Sequence, residues 1–355
     1  MDAIYQEARR GAFAHRVATA VVVAAIVLAL FAAAWWASDV LLLAFAGILL
    51  ALLLEGIADW ICSHTGLGHG AALAAGVFGM LAVAAVGGWL LAPSIAAQGA
   101  ELADKLPQAL ESLRGKLAES SWGSSFLREM PKSVQQLPAR GDFLGKLTGV
   151  FSITLGALAN LVLVGFVGLF LAAQPNLYRR GFLRLIAPRL RPRAQEVMQG
   201  MDTMLRKWLV GQLLTMATVG TLTTVGLWAL GVPLALALGL LAALFEFVPT
   251  LGPFLASIPA ILLGLSQSPQ QGLYVALLYI GIQSVESYLL YPLIQRKAVD
   301  LPPALTITAQ ILLGVLLGAL GLVLATPLLV AAIVLVKKLY IEDWLGDGEP
   351  QSIEG

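Results

Sequence analysis

The sequence predicts an all-α, polytopic membrane protein with about six full transmembrane helices, two broken helical hairpins and a C-terminal inverted repeat, some eight apolar segments in all. Three observations carry this. Of the 355 residues, 59% are hydrophobic and 12% charged, with mean hydropathy +0.85, whereas a soluble domain has about 25% charged residues. No Lys or Arg occurs from Val17 to Asp104, or from Ala298 to Val336. Between Trp208 and Gln295 the only charges are Glu246 and Glu286.

A run long enough to cross a bilayer needs about 20 apolar residues. The spans 17–36, 39–58, 70–92, 148–173, 209–230 and 272–294 meet that length. The first follows Arg9, Arg10 and Arg16 and so looks like a signal peptide. It is longer than an h-region of roughly 7–15 residues, and further spans follow, so it reads as an uncleaved first span. Ser38-Asp39 makes the turn into the second.

Residues 93–146 are polar, with 7 Lys/Arg against 6 Asp/Glu. Leu102, Leu106, Leu110, Leu113 and Leu117 recur at helical spacing, and Pro107 is expected to interrupt or kink that helix. Residues 174–208 hold 8 Lys/Arg against 2 Asp/Glu, the mark of a cytoplasmic loop. Val197, Met201, Leu205 and Trp208 give it a helix with one apolar face. Counting from a cytoplasmic N-terminus puts 93–146 outside. It puts 174–208, Arg296-Lys297 and Lys337-Lys338 inside, so both termini are cytoplasmic.

Two apolar regions are not simple spans. Residues 233–265 are interrupted at Pro249, Gly252 and Pro253; residues 304–336 are interrupted near Gly318 and Gly321, with Pro327 beyond. Parity returns each to the side on which it began, which makes them helical hairpins with short arms, either re-entrant or complete pairs of tilted spans. Leu251-Gly-Pro-Phe-Leu-Ala-Ser-Ile-Pro259 parallels Leu320-Gly-Leu-Val-Leu-Ala-Thr-Pro327. Each hairpin follows one span, and those spans run in opposite directions, so the layout is an inverted repeat. Transporters build midplane sites from such broken elements. The organisation expected is 1–92 (three spans), 93–147 (extracytoplasmic amphipathic segment), 148–173 (fourth span), 174–208 (basic cytoplasmic segment), 209–340 (transport core) and 341–355 (tail).

Glu246 and Glu286 are the leading site candidates. A carboxylate inside a bilayer costs roughly 2–4 kcal/mol or more, and no cation lies near either in sequence. Each sits about 20 Å from the outer boundary at 1.5 Å per residue, so the two can share a site. There they can load and release a proton or bind a cation. Gln283 lies on the helical face of Glu286; Gln212, Asn160 and Ser257 are further polar candidates. Pro249, Gly252, Pro253, Pro259, Pro292, Gly318, Gly321 and Pro327 are the expected backbone breaks.

Other chemistry finds little support. The single Cys62 excludes an intrachain disulfide. His64 and His69 flank a glycine-containing loop and fall short of a four-ligand metal site. Gly141-Asp-Phe-Leu-Gly-Lys146 is one residue short of a phosphate loop, and Leu147 stands where Ser or Thr belongs. No cofactor, catalytic residue, metal or nucleic-acid partner is expected.

The segment Glu246-Phe-Val-Pro-Thr-Leu-Gly-Pro-Phe-Leu-Ala-Ser-Ile-Pro-Ala260 resembles the autoinducer-2 exporter family of bacterial permeases. So do Gln283-x-x-Glu286-x-x-x-x-x-Pro292, Gly318-x-x-Gly321-x-x-x-Ala325-x-Pro327 and Trp208-Leu-Val-Gly-Gln212. The resemblance implies a multispanning inner-membrane permease assembled as a homo-oligomer, with a pentamer the form expected. It implies export of a small polar solute such as an autoinducer-2-like signal, or sodium–proton antiport. A non-transporting membrane scaffold is the third reading. Residues 58–69 depart from the family by lacking Lys and Arg.

Overall fold

The computed structural model describes residues 35–118, 159–295 and 301–346, with scattered positions between 21 and 33. The span 17–36, the amphipathic segment beyond 118, the phosphate-loop-like 141–146, the start of span 148–173 and Arg296-Lys297 therefore lie largely or wholly outside the described residues. Every regular element among the described residues is helical. In order they are α1 (Ser38–Thr65), α2 (His69–Ala118), α3 (Ala159–Ala173), α4 (Pro175–Arg184), α5 (Arg191–Ala229), α6 (Ala235–Phe245), α7 (Leu251–Gln267), α8 (Pro269–Val285) and α9 (Pro303–Leu335). The ends of α8 and α9 widen into π-helix over Glu286–Gln295 and Val336–Glu342.

Helix contacts are made by small residues, as expected where lipid gives no hydrophobic drive between helices. A Cβ on Gly47 would strike Val167, and one on Gly168 would strike Leu50, so α1 and α3 pack closely there. Gly220 meets Ala243 and Gly239 meets Thr224 between α5 and α6; Gly264 meets Gly272 between α7 and α8. The outer surface is apolar, with Phe78, Val83, Trp89, Val315 and Tyr288 all more than 70% exposed. Lipid can solvate such side chains.

α2 corrects one expectation. It runs unbroken for 50 residues through Pro93 and Pro107, about 75 Å at 1.5 Å per residue. The third span and the start of the polar segment form one rod, so Pro107 does not end the helix. A proline removes one hydrogen bond and strains a turn, and the bonds on either side continue the helix here. The rod has a structural use: Gln98 Oε1 accepts from the Ala237 N–H at 3.1 Å, filling one of the open donors at the start of α6.

Both apolar interrupted regions are hairpins. α6 and α7 are joined through 246–250 and are too short, at 11 and 17 residues, to make ordinary spans. α9 folds back at Gly318, whose φ of 67° and ψ of −154° suit only glycine. Gln310 Nε2 reaches Thr326 Oγ1 at 3.4 Å, whereas a straight helix would separate them by about 24 Å. α9 is therefore two antiparallel arms, despite having the length and composition of a span. Both breaks lie just before the paired Leu-Gly motifs, one ahead of Leu251-Gly252 and one ahead of Leu320-Gly321.

Several expected break residues are helical. Gly252 and Pro253 lie in the first turn of α7, where free N–H groups make proline harmless. Pro259 and Pro327 sit inside helices that continue past them. Pro292 lies within the π-helical stretch after Glu286, whose wider turn accommodates its ring. The glycines allow close approach: a Cβ on Gly252 would collide with the Phe245 carbonyl, and one on Gly321 with the Leu313 carbonyl. Pro249 and Gly318 stand at true breaks.

One end of the bundle is charged. Glu55 is bonded by Arg179 at 3.3 Å and Arg206 at 3.1 Å; Arg206 also reaches Asp59 at 2.8 Å. Arg193 joins Glu196, Glu342 and Asp343 at 2.7, 2.8 and 3.0 Å. These pairs bring 55–59, 179–206 and 338–343 to the same end. Residues 58–69, which lack Lys and Arg, meet an arginine supplied by α5: Arg206 at Asp59.

Candidate functional site

The site is built on the break between α6 and α7. A broken helix leaves carbonyls without intrahelical donors, and two glutamine side chains supply them. Gln212 Nε2, from α5, donates to the Glu246 carbonyl at 2.6 Å. Gln310 Nε2, from the first arm of α9, donates to the Pro249 carbonyl at 2.8 Å. The Leu251 N–H also donates to the Pro249 carbonyl at 2.9 Å, closing a γ-turn with Thr250 at φ 72°, ψ −56°. A β-branched residue in that conformation is strained, by about 1–3 kcal/mol. The break is thus held in place by α5 and α9.

Glu246 caps the end of α6 and is 1% exposed. Among the described residues no donor reaches either of its carboxylate oxygens except the Glu286 carboxyl, which can hydrogen-bond it when one of the two is protonated. Glu286 is half-buried, and its Oε2 accepts from Gln283 Nε2 at 2.9 Å. The two carboxyls come within direct electrostatic reach of each other. The amide oxygens of the supporting glutamines, Gln212 Oε1 and Gln310 Oε1, are buried and have no hydrogen-bond partner among the described residues.

A cavity of about 720 Å³ opens beside this cluster. Glu286, Gln283, Ser257 and Tyr279 line it, together with Pro249 and Thr250 from the break and Thr306 and Thr326 from the two arms of α9. Ser257 Oγ donates to the Phe254 carbonyl at 2.8 Å, a helix-internal bond that leaves its oxygen free to accept. The cavity touches Glu286, while Glu246, Gln212 and Gln310 lie behind its wall. The helix changes from α to π at Glu286, a local widening often found at functional positions.

Of the sequence candidates, Glu246, Glu286, Gln283, Gln212 and Ser257 gather around the break. Asn160 does not: it lies exposed in the first turn of α3, away from this cavity. Gln310, Thr306 and Thr326 were not singled out from sequence. Gln310 was legible, because it is the sole side-chain amide within 304–336, and a lone buried amide raises the same question as a lone carboxylate.

A family model described as AI-2E family transporter matches residues 24–341. The chain belongs to the AI-2E transporter family. It is similar to YueF of Bacillus subtilis (strain 168), which is named as a candidate transport protein. The two are 25% identical over 249 residues, 66% of this chain and 67% of that one. YrrI of the same organism is similarly named and is 24% identical over 250 residues, 68% of this chain and 70% of that one. A Mycobacterium tuberculosis relative, also named for transport, is 35% identical over 106 residues, 29% of this chain and 28% of its own. The AI-2E match and the apolar helices make this a multi-pass membrane transporter.

Proposed function

We propose that this transporter is a secondary exporter of a small polar solute across the bacterial inner membrane, with Glu246 and Glu286 as its coupling pair. The observation that carries the reading is the Glu246 carboxylate: buried, without a cation or other donor among the described residues, and within hydrogen-bonding reach of Glu286 on the cavity wall. A carboxylate at the C-terminal end of a helix faces the negative end of the helix dipole. That surrounding favours a proton or a cation as its partner. Autoinducer-2-like signals are the solute suggested by the family. Both termini are assigned to the cytoplasm and the working form to a homo-oligomer, with a pentamer the first expectation.

Glu286→Gln tests this. It preserves size and hydrogen bonding with Gln283 and removes titration. In proteoliposomes with a proton gradient, gradient-driven solute flux is expected to fall at least about tenfold, the range lost with an acid–base group. Gradient-free exchange persists, since exchange need not release the proton. Wild-type flux with unchanged pH dependence would refute the coupling role.

Cation–proton antiport is the second reading. Gln212 Oε1 and Gln310 Oε1 favour it, because buried carbonyl-type oxygens beside a carboxylate suit a hard cation. Sodium flux without any organic solute distinguishes it. A non-transporting scaffold predicts that Glu246→Gln and Glu286→Gln are silent in every flux assay.

A further inference from the structure

We propose that the cavity beneath α4 binds an anionic phospholipid, with its phosphodiester against Arg180 and an acyl chain running along α1 and α5. This cavity, about 710 Å³, is separate from the glutamate site. Its floor is apolar, formed by Ile48, Leu52, Leu171, Met198, Met201 and Leu205. Arg179, Arg180, Glu55 and Asp202 line its polar rim. Ile48 and Glu55 lie on the same helix, about 10 Å apart along its axis, so the floor extends from the charged end into the apolar zone.

The helix above it has an interfacial design. α4 turns 87° from α3, so it lies along the membrane surface if α3 crosses the bilayer. Leu177 and Phe182 are 60% and 53% exposed and sit among Arg180 and Arg184. Apolar and aromatic side chains mixed with arginines are characteristic of helices seated at the headgroup boundary.

The pairing of the charges selects the ligand. Arg179 lies 3.3 Å from Glu55 and 3.5 Å from Asp202, and Arg206 lies 3.1 Å from Glu55. Each wall carboxylate therefore has a guanidinium partner, in a cluster where Arg206 also holds Asp59 at 2.8 Å. Arg180 makes no salt bridge among the described residues, and it stands at the mouth of an apolar floor. A phosphodiester matches a guanidinium by paired hydrogen bonds, and acyl chains match the floor. A free phosphate would leave the floor empty. A zwitterionic lipid brings its own ammonium to compete with Arg180. Basic pockets between transmembrane helices at the membrane surface recognise anionic headgroups in this way.

The test is native mass spectrometry of the full chain released from nanodiscs of equal phosphatidylglycerol and phosphatidylethanolamine. The wild type is expected to retain phosphatidylglycerol in preference. Arg180→Gln lowers that retention about fivefold, the factor for one basic residue near an anionic surface. Met198→Trp, which fills the floor, removes it. Arg189→Gln, exposed and outside the cavity, leaves it unchanged. Equal retention of the two lipids by the wild type would overturn the proposal. So would unchanged retention in Arg180→Gln or Met198→Trp, or an equal loss in Arg189→Gln.

Discussion

The fold-back of α9 can be tested by a disulfide across its tip. A Cβ built on Gly314 lies 3.5 Å from Leu322 Cβ. Disulfide-bonded cysteines have Cβ atoms about 3.5–4.5 Å apart. In a straight helix the same two residues would be separated by about 12 Å along the axis, beyond any bridge. The variant Gly314→Cys/Leu322→Cys is made in a Cys62→Ser background, which removes the native thiol. After oxidation with a membrane-permeant catalyst, maleimide tagging counts the remaining thiols by mass. Two are expected before oxidation and none after, with no dimer formed. Val315→Cys/Leu322→Cys is the control: Val315 is 80% exposed on another face, and both thiols should survive. If the Gly314/Leu322 pair also keeps both thiols in folded protein, α9 is a single span. The placement of Thr306 and Thr326 on one cavity then fails with it.

Two further outcomes follow from the same geometry. Gly318→Ala should lower stability by about 1–3 kcal/mol through backbone strain, because no atom of the described residues lies within 4 Å of its added Cβ. Thermal unfolding in detergent measures this, and an unchanged midpoint would contradict the left-handed tip. Removing both partners of Glu55, with Arg179→Met and Arg206→Met together, leaves its largely buried carboxylate uncompensated and should cost about 3–5 kcal/mol. Either single variant costs less, since the other guanidinium remains within 3.3 Å. Additive losses in the singles equal to the double would argue against a shared carboxylate.

The apolar segments that fall within the described residues were legible because composition and length decide what can enter lipid. The hairpins were legible from parity. Counting every proline and glycine there as a break marked too many: Pro249 and Gly318 stand at breaks, whereas Gly252, Pro253, Pro259, Pro292, Gly321 and Pro327 lie in helix. A proline in a first turn is harmless, and a glycine can serve close packing instead of a bend. Which of these a residue does depends on its neighbours. Pro107 misled for a similar reason, since a long helix can continue past one missing bond.

The sequence by itself determined that Glu246 and Glu286 are the only charges between Trp208 and Gln295, because charge and spacing are local properties of the chain. Only the tertiary structure decided that they meet. Gln212 and Gln310, 98 residues apart in sequence, hold the carbonyls of one break, and that bond pattern sets where Glu246 lies. It also decided that Asn160 stands apart and that Asp59, in the 58–69 segment, pairs with Arg206 from α5. Hydrogen-bond partners distant in sequence leave no periodic trace, so their pairing emerges only when the helices pack.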